Sequence, residues 1–442
     1  MFGWRRRKTT GRKTGRKKQQ FRLDKELVIP NHFRCPISLD LMKDPVTLSS
    51  GITYDRDSIE KWLEDGNFTC PLTNQVLRSF DRIPNHTLRK MIQDWCEENR
   101  NSGVERIPTP KVPITGTEVS EILRSIEASM QRLDQCGFLE SLKNINKWEL
   151  ESERNRRCIV DNGTAATLAS AFDAFSSDDQ PLERHYNVLE EILSALNWMF
   201  PLEDEARKFL GSKASLNMMV RLMNRNDFSS AKNAVLVVKE LCYDQEFVEA
   251  LMGVEQVHEI LVRFIKEPIC HTITKASLMV IFSMVSSSTS NHHERVKKQF
   301  VEMGLVPLLL NMVIDSEKHL NEIGLGVFDR ILDSKEGREA ACENDLTVPV
   351  LVKKILRVSE LATEYSVSSI WKLSRFEKTH EGRVLFEALQ VGAFQKLVLL
   401  LQCGCGDSTK EKATQLLKLL SPYRAGLECI ESADFKNLKR SF

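Results

Sequence analysis

The sequence predicts a mainly α-helical chain in which a small mixed α/β domain precedes an α-solenoid. Apolar helical segments recur at a near-constant interval over the later two thirds of the chain. Aromatic residues are only 7% while aliphatic ones abound, which favours packed helices over strand-rich sandwiches. Ahead of the repeats, residues 29–100 have a different texture, short apolar runs broken by Pro, Gly and Asn. At 442 residues, against about 150 for a typical domain, one compact core is not expected.

The chain opens on a basic tail. Nine basic residues and no acid lie within residues 1–20, so the formal charge of +1 hides a remainder with 53 basic and 61 acidic side chains. Residues 1–22 are too charged to bury a core and read as disordered. They are expected to form a nuclear-localisation or anionic-surface patch, or simply a solubilising extension. The small domain then spans 29–103. Residues 104–117, with Pro108, Pro110 and Pro113, read as a linker. A helical cap (118–162), the solenoid (163–424) and a C-terminal segment (425–442) complete the order.

Within the solenoid, apolar helices begin near Gly163, Gly211, Gly253, Gly304, Leu346 and Gly392, at intervals of 48, 42, 51, 42 and 46 residues. A second, more amphipathic helix follows each, beginning near Asn187, Lys232, Lys275, Asn321, Tyr365 and Glu411. A helical period of 40–50 residues is the signature of armadillo or HEAT repeats, whose units bury their apolar faces only by stacking on neighbours. The longest interval holds Ser286–His293, which fits a solvated loop, with His292 and His293 exposed rather than metal ligands.

In the small domain, DPVTLSSGITYD reads as a hairpin turning at Ser49, Ser50 and Gly51. Asp55 or Asp57 is placed to cap a helix whose Ile59, Trp62 and Leu63 share one face. A closing helix from Asn85 carries Leu88, Ile92 and Trp95 on one side. Two loops, Cys35–Leu39 and Cys70–Asn74, flank the central helix in the layout of a RING finger. A RING needs eight zinc ligands, whereas this stretch offers Cys35, Cys70, Cys96, His32 and His86. No zinc is expected.

The motifs CPISLDLMKDPVTLSSGITYDRDSIEKWL, TCPLTNQVL and IPNHTLRKMI resemble the U-box, and the order of tail, U-box and armadillo repeats resembles the plant U-box ubiquitin ligases. The resemblance implies a RING-like domain held without metal. It implies an E3 ubiquitin ligase that never carries ubiquitin covalently: a charged ubiquitin-conjugating enzyme docks on the U-box while the repeats hold a protein substrate. Ile37, Leu39, Trp62, Pro71 and Asn74 are the implied docking residues. Some family members are basic where this chain has Asn74. Ile37 and Trp62 could instead be core residues. The implied scaffold is Cys35, Pro36, Asp44, Pro45, Val46, Gly51, Tyr54, Ile59, Leu63, Cys70, Pro84, Asn85 and Leu88. The resemblance also allows a homodimer through the U-box.

Other classes fit less well. The repeats lack the recurring Trp-X-X-X-Asn of a nuclear-import adaptor, and the tail lacks the interleaved aromatics of a specific nucleic-acid binder. A non-catalytic armadillo scaffold or assembly factor is the alternative. No P-loop is present, so ATP is expected to be used only by the upstream activating enzyme. No apolar run reaches membrane-span length, and eleven scattered cysteines without a CxxC pair fit a reducing compartment. A cytoplasmic protein is expected, nuclear as well if the tail acts as a localisation signal.

Overall fold

The computed structural model describes residues 29–107, 113–132, 134–177, 185–225, 227–286, 291–376 and 382–438, the side chains of 291–293 and 424–438 excepted. The expected basic tail, Pro108, Pro110, the side chains of His292 and His293, and the last four residues of the C-terminal segment lie outside the described residues. The chain divides into two compact units between Val112 and Pro113.

In the first unit, strand β1 (Pro45–Thr47) pairs antiparallel with β2 (Thr53–Asp55) and with β3 (Ile83–Pro84), giving the order β2-β1-β3. Gly51, at φ 77°, turns the hairpin in a conformation that a side chain would strain. Helix α1 (Arg56–Glu64) follows β2 directly, and α2 (His86–Glu98) follows β3. Asn85 caps α2 by accepting from the Leu88 N–H at 3.0 Å. The expected cap of α1 is not made: Asp55 sits at the N-cap position, but its carboxylate accepts instead from the Lys43 and Asp44 N–H groups, at 2.7 and 2.9 Å. Two backbone donors in the preceding loop outcompete the helix end.

The second unit is built of helices. A pair, Gly116–Gln131 and Gln135–Glu151, precedes six units of three helices. Each expected pair of helices has a short helix before it: Glu153–Asp161, Asp204–Leu210, Gln245–Met252, Asn291–Glu302, Lys335–Glu343 and Arg383–Gln390. Three helices per unit is armadillo architecture rather than the two of HEAT. The glycines that marked the period stand at the turn between first and second helix, Gly163, Gly304 and Gly392 with φ of 72, 78 and 86°. The third helices begin one to five residues before the positions expected from apolar spacing, because their first turns are polar.

Each third helix packs on the third helix of the next unit, so one apolar core runs through the stack. Long cations stitch adjacent units by reaching the carboxyl end of the preceding second helix. Lys354 Nζ donates to the Ile314 carbonyl at 3.3 Å, and Lys396 Nζ to those of Val352, Lys353 and Ile355 at 2.8, 3.1 and 3.1 Å. Carbonyls in the last turn of a helix lack the full set of intrahelical donors, and the cation opposes the negative end of the dipole. Among the described residues no single helix is long and apolar enough to cross a membrane.

Glycine tolerance tests this packing. A Cβ on Gly337 would lie 2.3 Å from the Ile331 carbonyl oxygen, whereas at Gly253 its nearest neighbour would be the Ala250 oxygen at 3.4 Å. Gly337→Ala should therefore lower stability in urea unfolding by about 1–3 kcal/mol. Gly253→Ala, in right-handed helical backbone, should leave stability unchanged or raise it by about 0.5 kcal/mol.

Candidate docking site

Two short loops are built alike. In the first, the Cys35 N–H donates to the Asp40 carbonyl and the Cys35 carbonyl accepts from Leu39, both at 2.8 Å. In the second, the Cys70 N–H donates to Gln75 and the Cys70 carbonyl accepts from Asn74, again both at 2.8 Å. A single antiparallel bridge closes each, Arg34 with Leu41 and Thr69 with Val76. The fifth residue of each loop is left-handed, Leu39 at φ 63° and Asn74 at φ 55°. For a leucine this backbone is costly.

The sulfurs, which in a RING would bind metal, are fully buried and engaged by the hairpin. The Asp55 N–H donates to Cys35 Sγ at 3.3 Å, and Tyr54 Oη lies 3.0 Å from Cys70 Sγ while accepting from the Leu72 N–H at 3.2 Å. Burial, reinforced by the bond to Cys70, pushes the Tyr54 phenol well above its usual range. Burial opposes ionisation of the Cys70 thiol, but the facing hydroxyls of Ser50, Thr73 and Tyr54 outweigh it and bring the thiol down to about 6. Among the described residues no three His, Cys, Asp or Glu side chains group as metal ligands.

Charge completes the frame. The Asp44 carboxylate accepts from Arg56 Nε at 2.6 Å and pairs with Arg89 through its other oxygen, tying the loop before β1 to both helices. These groups are largely buried, where such pairing is stronger than at the surface.

The expected docking residues fall on or beside the loops. Leu39 is 67% exposed. Ile37 is half-buried and also touches the core, so it has a foot in both roles. Trp62 is half-buried on α1, with its indole N–H donating to the Thr69 carbonyl at 2.9 Å, which makes it a strut for the second loop as well as a surface. Pro71 is half-buried and Asn74 exposed. Of the expected scaffold residues, Cys35, Pro45, Val46, Tyr54, Ile59 and Cys70 are buried; Pro36, Asp44, Leu63, Asn85 and Leu88 are half-buried; Gly51 and Pro84 are exposed.

Sequence reasoning missed Leu72, 60% exposed, and Val76, 75% exposed, on the second loop. The signal was available: Cys35-Pro36-Ile37 and Cys70-Pro71-Leu72 are one motif used twice. It also missed Arg56 and Arg89, whose role depends on meeting Asp44 from separate helices.

A hydrogen-bonded, two-loop domain ahead of an array of three-helix repeats is the combination found in U-box proteins with armadillo repeats. The family described as U-box domain matches residues 29–101, and that described as plant U-box protein ARM repeat region matches 118–440. U-box domain-containing protein 21 of Arabidopsis thaliana is 43% identical over 424 residues, covering 95% of this chain and 94% of that protein. The E3 ubiquitin-protein ligase PUB22 of the same plant is 33% identical over 423 residues, covering 90% and 95%. The chain belongs to the plant U-box proteins with armadillo repeats, and with them to the RING-type E3 ubiquitin-protein ligases.

The Cys70 environment predicts a pH dependence. An unfolded thiol titrates near 9 and the folded one at about 6, so between these values the unfolded state binds more protons and stability rises with pH. The urea midpoint of the U-box transition should climb from pH 6 to 9. Cys70→Ser should flatten that slope, and Tyr54→Phe should reduce it.

Proposed function

We propose that the two loops and α1 form the docking face for a ubiquitin-charged conjugating enzyme, and that the armadillo stack holds the protein to be modified. Ile37, Leu39 and Pro71, with Leu72 added from the structure, supply the apolar contacts; Trp62 braces the second loop; Asn74 donates toward the docked ubiquitin. The observation that supports this reading is the matched loop geometry, which leaves Leu39 and Leu72 exposed beside a half-buried Ile37. Exposed apolar groups on a rigid frame are what a docking surface needs.

The chemistry is positioning. The thioester arrives on the conjugating enzyme, and holding it with its ubiquitin in a reactive orientation turns a loosely organised attack into an effectively intramolecular one. No side chain of this chain takes up ubiquitin, and the loops do this without zinc, because hydrogen bonds already occupy Cys35 and Cys70.

Discharge of a charged conjugating enzyme onto free lysine tests the face without needing a substrate. Ile37→Ala should weaken docking by about 1–3 kcal/mol with little change in the unfolding midpoint. A stability loss of about 2–5 kcal/mol in step with the lost activity would assign Ile37 to the core instead. Asn74→Arg should speed discharge several-fold, since a charged donor is worth roughly twice a neutral one.

A further inference from the structure

A cavity of about 390 Å³ is lined by residues on, or just after, four consecutive third helices: Phe228–Leu241, His271–Ser286, Lys318–Ile331 and Glu360–Phe376. That volume falls within the roughly 300–1,000 Å³ of small-molecule sites. Its walls are apolar. The aromatic rings of Tyr243, Phe282 and Tyr365 line it together with Met279, Ile323 and Leu361. Tyr243 is 72% and Leu361 43% exposed, which leaves the cavity open to solvent.

Aromatic rings favour edge and offset contacts with other rings, and a thioether packs well on a ring edge, so this wall selects a flat aromatic occupant over a branched aliphatic one. Gly326 lets two of the rings settle. A glycine in a helix interior is unfavourable, and here a Cβ would lie 3.1 Å from both the Phe282 and the Tyr365 rings.

The charges call for a neutral occupant. The lining holds one cation and one carboxylate, Lys239 and Glu322, and both are engaged. Lys239 Nζ lies 5.8 Å from the centre of the Phe200 ring, while Glu322 accepts from Ser359 and pairs with His319 at 3.3 Å. A ligand of either charge would meet a like charge in the same wall, and an unpaired charge among apolar groups is costly.

We infer that this cavity is a binding site for an uncharged aromatic small molecule. Volume sets its size, the rings and Met279 its flatness, and the cancelling charges its neutrality. The inference goes beyond the reading of the repeats as the substrate-holding part, and its test measures no ligase activity.

The test uses the full chain and two dyes that share a ring system, the uncharged N-phenylnaphthylamine and the sulfonated anilinonaphthalenesulfonate, whose fluorescence rises in apolar surroundings. The uncharged dye should bind saturably, one per chain, and about ten-fold tighter than the sulfonate. Its affinity should not change with salt. Leu361→Trp, which places an indole in the cavity wall, should weaken it about ten-fold. Tyr243→Ser, which removes a ring, should weaken it about three- to ten-fold. Neither residue belongs to the buried core. Leu399→Trp, the same change at a leucine 49% exposed on Ala393–Cys403, should leave binding unaltered. No saturable binding of the uncharged dye, equal or tighter binding of the sulfonate, or binding untouched by both cavity substitutions would overturn the inference. Displacement of the dye by acetyl-Gly-Trp-Gly-amide at a lower concentration than by naphthol would overturn it too, by assigning the cavity to a protein side chain.

Discussion

Tyr54 and Asp55 are neighbours on one short strand, and successive strand residues point to opposite faces. That alternation lets one strand hold both loops. The Tyr54 hydroxyl reaches the buried Cys70 sulfur and the Leu72 N–H on one side, while Asp55 gives its N–H to Cys35 and accepts from Lys43 and Asp44 on the other. Tyr54, Cys35 and Cys70 are buried and Asp44 and Asp55 half-buried, where leaving a donor unpaired costs about 1–3 kcal/mol. The two loops that close on this stitch carry the left-handed residues Leu39 and Asn74, and with them the proposed docking face. Asp44, clamped by Arg56 and Arg89, fixes where the stitch lies relative to the two helices.

The two units divide their physical tasks. The U-box is small and commits its polar groups to holding a shape, which suits the positioning chemistry proposed for it. The armadillo stack puts apolar surface into a continuous core and, at its last two junctions, sets the long cations Lys354 and Lys396 on helix ends.

Much of this was legible in the sequence because it is periodic or local. The armadillo period followed from glycines at helix junctions, and Gly51 and Asn85 announced a turn and a cap. The short first helices were not legible: segments such as Arg383–Gln390 span two turns, too few for a period to emerge. Asp55 misled for the opposite reason. Its position is that of a helix cap, but its partners, Lys43 and Asp44, are distant in sequence and outcompete the helix end. The proposed docking residues were legible only through the resemblance, and Leu72 only through the doubling of the Cys-Pro motif.

The claim on which the rest stands is that hydrogen bonds, not metal, hold the two loops in docking form. Dialysing the full chain against EDTA and 1,10-phenanthroline, and then measuring discharge of a charged conjugating enzyme beside a zinc-dependent RING ligase, tests it directly. The account predicts an unchanged rate for this chain while the RING control fails. A loss of activity restored by added zinc would contradict it.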